Sequence, residues 1–136
     1  MLFRSNFGCP VIRREIKKQA QAVSKRIQFN YKSIQLTAEA KRGLDIMVRL
    51  LKSNSDLKVY IEGHSSIDGN PKNHQPMSEA RAQAVRNYLI SRGISSKRLK
   101  AIGFGSNWPL MKGNSTQALS MNRRVELRLS NYELGF

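Results

Sequence analysis

Cations dominate the part of the chain that carries most candidate binding residues. Between residues 80 and 125 the sequence has no aspartate or glutamate, although lysines and arginines recur throughout. Stretches of positive charge neutralise phosphates, and such binding weakens steeply with salt. The residues expected here to contact an anion or RNA are Arg86, Arg92, Lys97, Arg98, Lys100 and Arg123. The N-terminal segment adds Arg13, Arg14, Lys17 and Lys18.

The residues that catalysis or metal binding would need are sparse. The chain has 9 Asp and Glu against 24 Lys and Arg, with no nucleophile motif and no paired carboxylates. His64 and His74 flank a polar loop, but no His, Cys or Asp spacing matches a zinc site. The glycines at 103 and 105 lack the helix and lysine of a phosphate loop. We therefore expect a binding or structural protein, with no metal and no cofactor, rather than an enzyme.

Length and charge set the class of protein and of partner. A chain of 136 residues with 40% hydrophobic residues fits one domain with a modest core. Its net charge of +15 is typical of proteins that lie against nucleic acid or an anionic membrane or wall, the alternative being a solvated basic surface. Cys9 is the one cysteine, which excludes an internal disulfide. The sequence has no run of 18 apolar residues, so it predicts no membrane span.

The N-terminal segment is basic and amphipathic. Residues 1–19 lack the apolar central run of a secretory signal, and Glu15 is the single acid before Glu39. This composition resembles a mitochondrial presequence, and a basic helix of the mature protein is the alternative. Pro10 can open a helix. One apolar face of that helix would comprise Ile12, Ile16, Ala20, Val23 and Ile27.

Hydrophobic spacing predicts alternating strands and helices after that segment. The predicted strands are Ile27–Tyr31, Leu57–Glu62, Arg98–Phe104 and Arg124–Leu129. One predicted helix is capped by Thr37 and runs to about Asn54. Another is capped by Ser78 after a polar loop and is ended by Gly93. This order favours parallel strands joined by helical crossovers, with the last strand added antiparallel. Trp108 is expected to pack on the domain edge.

The chain then resembles a known family. Four segments match the OmpA-like, peptidoglycan-associated domain in order and spacing: IQFNYKSIQLT, LKVYIEGHSSIDGN, MSEARAQAVRNYLISRGISSKRLKAIGFGSNWP and NRRVELRL. The resemblance covers about residues 27–130. It implies an α/β fold, an α+β sandwich with a βαβαββ mixed sheet, to which this chain adds an N-terminal helix. We expect a basic segment over residues 1–26 and the OmpA-like domain over residues 27–136.

The resemblance also implies a ligand site. In that family an aspartate and an arginine hold the diaminopimelate stem residue of peptidoglycan. Arg81 stands at the arginine position and Ser66 at the aspartate position, while Asp68 lies two residues further on. His74 stands where the family has asparagine, and Lys32 where it has a second acid. The predicted remnant of the pocket comprises Ser66, Asp68, Arg81, Asn122 and Arg124.

The altered site and the basic surface lead to two hypotheses about function. A serine in place of the aspartate loses a charged hydrogen bond worth about 1.5–3 kcal/mol, which predicts weak diaminopimelate binding. The first hypothesis is a repurposed structural component of a ribonucleoprotein, most plausibly the mitochondrial ribosome, that contacts RNA and neighbouring proteins. The alternative is a peptidoglycan-binding anchor in the bacterial periplasm or cell envelope.

Overall fold

The computed structural model describes residues 12–131, so Cys9 and Pro10 lie outside the described residues. Four α-helices and three strands are present in this range. The helices are α1 (Arg14–Ser24), α2 (Ala38–Ser53), α3 (His74–Ser91) and α4 (Thr116–Asn122). The strands are β1 (Lys58–Gly63), β2 (Leu99–Gly103) and β3 (Val125–Ser130). Short 3₁₀ turns precede α3 and β2.

The three strands form one mixed sheet in the order β2-β1-β3. β1 pairs with β2 in parallel and with β3 antiparallel. Val59 and Ile61 of β1 are buried, whereas the alternate residues Tyr60 and Glu62 are partly exposed. This alternation shows that helices cover one face of the sheet while the other face meets solvent. The predicted mixed α/β fold is confirmed.

The N-terminal helix packs in the same core as the rest of the chain. Ile16, Ala20 and Val23 are buried against the sheet and α2, as their spacing predicts for one helix face. Ser24 Oγ also accepts a hydrogen bond from Leu127 N of β3 at 2.8 Å. The structure thus joins α1 to the sheet through both apolar packing and a polar contact.

Several local predictions are corrected by the structure. The run Ile27–Tyr31 makes only an isolated bridge, between Gln28 and Arg124, instead of a fourth strand. α3 begins at His74, whereas the sequence predicted a start after Ser78. A proline is tolerated in the first helical turn, because the N–H group that it lacks would have no partner within the helix. Helix α4, capped by Ser115, was not predicted. The Thr37 cap and the end of α3 before Gly93 are confirmed.

Candidate functional site

Two glycines let the start of α3 lie directly on the sheet. A Cβ atom on Gly63 would stand 1.9 Å from the carbonyl oxygen of Ser78, and one on Gly103 would stand 2.6 Å from the backbone nitrogen of Glu79. No other residue type fits such distances without moving the helix. Ser78 Oγ then accepts a hydrogen bond from Gly105 N at 2.8 Å. This close packing fixes Arg81, one turn further along α3, against the loop after β1.

Arg81 is buried, with 1% of its surface exposed, and it donates to three backbone carbonyls. Its Nε donates to Ser33 O at 3.0 Å, Nη1 to His64 O at 3.1 Å and Nη2 to Asn30 O at 3.2 Å. Burial, with the nearby Arg123 charge, lowers the pKa of Arg81 to about 10, so the group stays charged at neutral pH. A guanidinium has five N–H donors, so two remain beyond these three bonds.

A cavity of about 300 Å³ opens beside Arg81. We call it the Asp68–Arg81 pocket. It is lined by Tyr31, Lys32, Ser65, Ser66, Asp68, Gly69, Asn70, Asn73, His74, Met77, Arg81 and Arg123. Three residues of the predicted pocket remnant, namely Ser66, Asp68 and Arg81, are therefore brought together. The pocket combines one carboxylate with buried and partly buried cations, which suits a ligand that carries both charges.

Asp68 supplies the negative charge that Ser66 cannot. The Ser66 hydroxyl donates to Asp68 Oδ1, and Arg123 Nη1 lies 3.3 Å from Asp68 Oδ2. The Asp68 side chain remains 27% exposed, so its carboxylate is accessible from the pocket. The serine therefore bonds the carboxylate that lies two residues further along the loop, and both residues line the same cavity.

The two histidines hold the loop by different means. His74 bridges Ser106 Oγ at 2.9 Å and the carbonyl oxygen of Asp68 at 3.0 Å, which ties the loop after β1 to the loop after β2. His64 stacks on Phe104, with 5.6 Å between ring centroids. Burial, together with the Arg124 charge, lowers the pKa of His64 to about 4, so the ring is neutral at pH 7. Across residues 12–131 no cluster of His, Cys, Asp and Glu could hold a metal ion.

A second, larger cavity of about 870 Å³ runs along the edge of the sheet. We call it the α1–β3 groove. It is lined by Lys17, Ala20, Gln21, Ser24, Lys25, Gln28, Glu62, Leu110, Met121, Arg124, Glu126, Leu127, Arg128 and Leu129. No residue lines both this groove and the Asp68–Arg81 pocket. The molecule therefore carries two separate concave surfaces.

Asn122 and Arg124, also predicted for the ligand pocket, lie elsewhere. Asn122 is buried and clamps a loop, since its side chain accepts from the backbone N–H groups of Leu110 and Met111 and donates to Met111 O. Arg124 lines the α1–β3 groove, where it pairs with Glu126 and donates to the carbonyl oxygen of Trp108. Its Nη1 atom is buried without a hydrogen-bond partner in the described chain.

Most arginines of the acid-free stretch bond the protein itself. Arg98 donates to three backbone carbonyls, those of Leu51, Asn54 and Leu57. Arg86 donates to two carbonyls beside β2, and Arg92 contacts Tyr88 and Asp45. Many N–H donors of these arginines are already bonded, so this stretch offers fewer free donors to an external anion than its composition suggests.

The remaining predicted cations are mostly on α1. Arg14, Lys17 and Lys18 are exposed, and Arg13 lies 4.0 Å from Glu15 in a solvent-exposed pair. Lys97 is exposed in the turn before β2, and Lys100 lies within β2 on the solvent-facing side of the sheet.

Tyr31 and Arg123 are among the pocket residues that sequence reasoning missed. Tyr31 lies beside the predicted Lys32, but an aromatic residue in a β-prone run carries no sign that it faces a ligand. Arg123 was assigned to an RNA surface, yet it lies on Asp68 and donates to Phe29 O at 3.2 Å. The one available signal was its place in the NRRVE motif, because Arg123 lies in the loop just before β3.

Comparison with known proteins identifies the family. The sequence profile described as the OmpA family matches residues 28–123. The chain belongs to the OmpA family. It is 38% identical over 100 residues to the peptidoglycan-associated lipoprotein of Pseudomonas putida, covering 74% of this chain and 60% of that protein. The peptidoglycan-associated lipoprotein of Pseudomonas aeruginosa is 36% identical over 100 residues, covering 74% and 59%. The chain thus spans about three fifths of the length of these relatives.

Solved structures share the fold. The peptidoglycan-associated lipoprotein from Burkholderia pseudomallei superposes with a TM-score of 0.74 at 23% identity, covering 76% of this chain and 88% of that chain. The OmpA-like domain of FopA1 from Francisella tularensis gives a TM-score of 0.68 at 29% identity, covering 76% and 68%.

These relatives correct the prediction about function and location. They are bacterial peptidoglycan-associated lipoproteins, so the hypothesis of an RNA-binding component of the mitochondrial ribosome is wrong. The error came from treating net charge as a sign of nucleic acid. Net charge indicates that a polyanion is favoured but does not identify it, and Arg81, Arg86 and Arg98 bond internal carbonyls.

Proposed function

We propose that this chain is a non-enzymatic wall-binding module of the bacterial cell envelope. Its ligand would be the diaminopimelate residue of the peptidoglycan stem peptide, held in the Asp68–Arg81 pocket. The observation that carries this proposal is that Asp68 and Arg81 line one cavity, although the family's aspartate position holds Ser66. Membership of the OmpA family and the peptidoglycan-associated relatives support the same assignment.

The charges of the pocket match the two charged groups at the end of the ligand's side chain. The ligand ammonium would approach the Asp68 carboxylate, which is partly exposed. Its carboxylate would meet the two free N–H donors of Arg81 and the nearby Arg123. Lys32, exposed at the rim, adds a further cation, so the site favours the ligand's carboxylate more strongly than its ammonium.

Removal of the Asp68 charge tests the assignment. We expect Asp68→Asn to weaken binding to isolated diaminopimelate-type sacculi by roughly ten- to 150-fold, because a charged hydrogen bond contributes about 1.5–3 kcal/mol. Asp56→Asn removes the same charge from an exposed position after α2, outside the pocket, and serves as the matched control. Binding would be measured by co-sedimentation and by titration with a soluble diaminopimelate-containing muropeptide.

A second arm uses the wall itself. Sacculi whose stem peptides carry lysine instead of diaminopimelate lack the carboxylate that Arg81 and Arg123 would hold, and we expect them to retain little of the protein. Equal retention on both walls, or an Asp68→Asn variant that binds like wild type while folded by circular dichroism, would reject the proposal.

A further inference from the structure

One surface of the molecule combines free cations with exposed apolar residues. Lys17 and Lys25 lie on the rim of the α1–β3 groove, and neither forms an ion pair within residues 12–131. The groove between them and β3 is lined by Leu110, Met121 and Leu129. Arg14 and Lys18 extend the same exposed side of α1.

The loop at the end of this groove presents large apolar side chains to solvent. Trp108 is 65% exposed and Leu110 is 57% exposed, which contradicts the expectation that Trp108 packs on the domain edge. Asn122 and Arg124 hold the backbone of this loop through hydrogen bonds to residues 108, 110 and 111. Trp108 and Leu110 are therefore exposed on a loop whose backbone is held in place by these hydrogen bonds.

The acids of the groove do not cancel this positive charge. Glu126 bonds Arg124, and Glu62 lies 3.0 Å from Arg128, so both carboxylates are already neutralised. The buried Arg124 also has an unpartnered Nη1 donor at the groove. The excess charge of Lys17 and Lys25, next to apolar walls, fits a partner that is anionic at one depth and apolar at the next.

We propose that this surface docks the domain on an anionic lipid bilayer. Lipid phosphates would lie against the α1 lysines, while Trp108 and Leu110 would enter the boundary between headgroups and acyl chains. Tryptophan favours that boundary, because its ring is apolar and its N–H is polar. Basic residues near an anionic bilayer each strengthen binding about fivefold. The surface shares no residue with the Asp68–Arg81 pocket, so this inference stands apart from the proposed function.

Trp108 is the one tryptophan of the chain, so its fluorescence reports directly on the loop. The full chain would be mixed with vesicles of phosphatidylcholine alone and with vesicles of equal parts phosphatidylcholine and phosphatidylglycerol. We expect a blue shift and protection from acrylamide quenching with the anionic vesicles only. An unchanged spectrum with both kinds of vesicle, or the same shift with both, would overturn the proposal.

Matched variants locate the surface. We expect Lys17→Glu with Lys25→Glu to lower vesicle affinity about tenfold or more, whereas Lys41→Glu with Lys52→Glu, the same charge change on exposed positions of α2, changes it at most about twofold. Equal loss in both pairs would indicate unspecific charge attraction and reject this surface.

A double variant of the two exposed apolar residues of the loop completes the test. We expect Trp108→Ser with Leu110→Ser to weaken co-sedimentation with anionic vesicles several-fold, while Ile34→Ser, at another exposed apolar residue, has little effect. Sacculus binding should persist in every variant of this surface, which separates a failure here from a failure of the wall pocket. Unchanged vesicle binding by the Trp108 and Leu110 pair would reject the insertion of this loop.

Discussion

At the scale of single residues, Arg81 has a structural role besides the binding role proposed for it. It is buried among carbonyls from the segment before α2 and from the loop after β1, and it lies 5.2 Å from the Phe29 ring centroid. A buried charge persists only when its hydrogen bonds are satisfied. The arginine therefore holds together the walls of the pocket whose ligand it would bind.

Loss of this guanidinium should destabilise the fold. We expect Arg81→Met to lower the free energy of unfolding by about 3 kcal/mol or more, because three carbonyl acceptors lose their donor. Arg49→Met, at an exposed arginine of α2, should change it by less than about 0.5 kcal/mol. Urea denaturation measures both, and equal midpoints would contradict the structural role.

His64 should make the fold sensitive to acid. Its pKa is about 4 when folded and near 6.5 when unfolded, so the unfolded chain binds the extra proton between these values. Stability attributable to this group is complete above about pH 6.5 and is lost as the pH falls towards 4, by about 3 kcal/mol. His64→Phe keeps a ring against Phe104 and should remove this part of the pH dependence. Parallel stability profiles of variant and wild type between pH 4 and 7 would contradict the assignment.

At the scale of elements, the contact between α3 and the sheet depends on missing side chains. Gly63→Ala places a methyl group against the backbone of Ser78, and we expect it to lower the free energy of unfolding by about 1–3 kcal/mol. Gly43→Ala, within α2, places its Cβ 3.2 Å from Arg26 Cδ and 3.4 Å from Val23 Cγ1, which needs only a small shift of side chains, and it gains helix propensity, so it should cost far less than Gly63→Ala. Chemical denaturation compares the two, and a tolerated Gly63→Ala would show that α3 can shift.

Elements with strong local signals were predictable, and elements set by tertiary contacts were not. The Thr37 cap, the α1 stripe and the stop before Gly93 follow from local backbone and packing rules. The prediction of a strand at Ile27–Tyr31 was wrong, because this segment makes only a single isolated bridge, to the residue just before β3. Asp68 was expected in the pocket, but its pairing with Arg123 was hidden, because that contact joins residues far apart in the chain.

At the scale of the whole molecule, the charge of +15 should oppose folding. Like charges repel more strongly in the compact state than in the expanded chain, and salt screens them with a Debye length of about 10 Å at 0.1 M. We expect the melting temperature to rise by several degrees as NaCl increases from low to moderate concentration. A fall in melting temperature would mean that ion pairs such as Arg123–Asp68 outweigh the repulsion.

Arg123 and Arg124 are neighbours in the chain, yet one reaches Asp68 and the other the carbonyl oxygen of Trp108. Side chains of consecutive residues in extended backbone leave on opposite sides, so a single peptide link divides the two concave surfaces. Inserting or deleting one residue just before this pair would exchange the sides on which Arg123 and Arg124 lie, and it would impair both concave surfaces together. Length changes in the turn after α4 should therefore be far more damaging to the protein than point changes there.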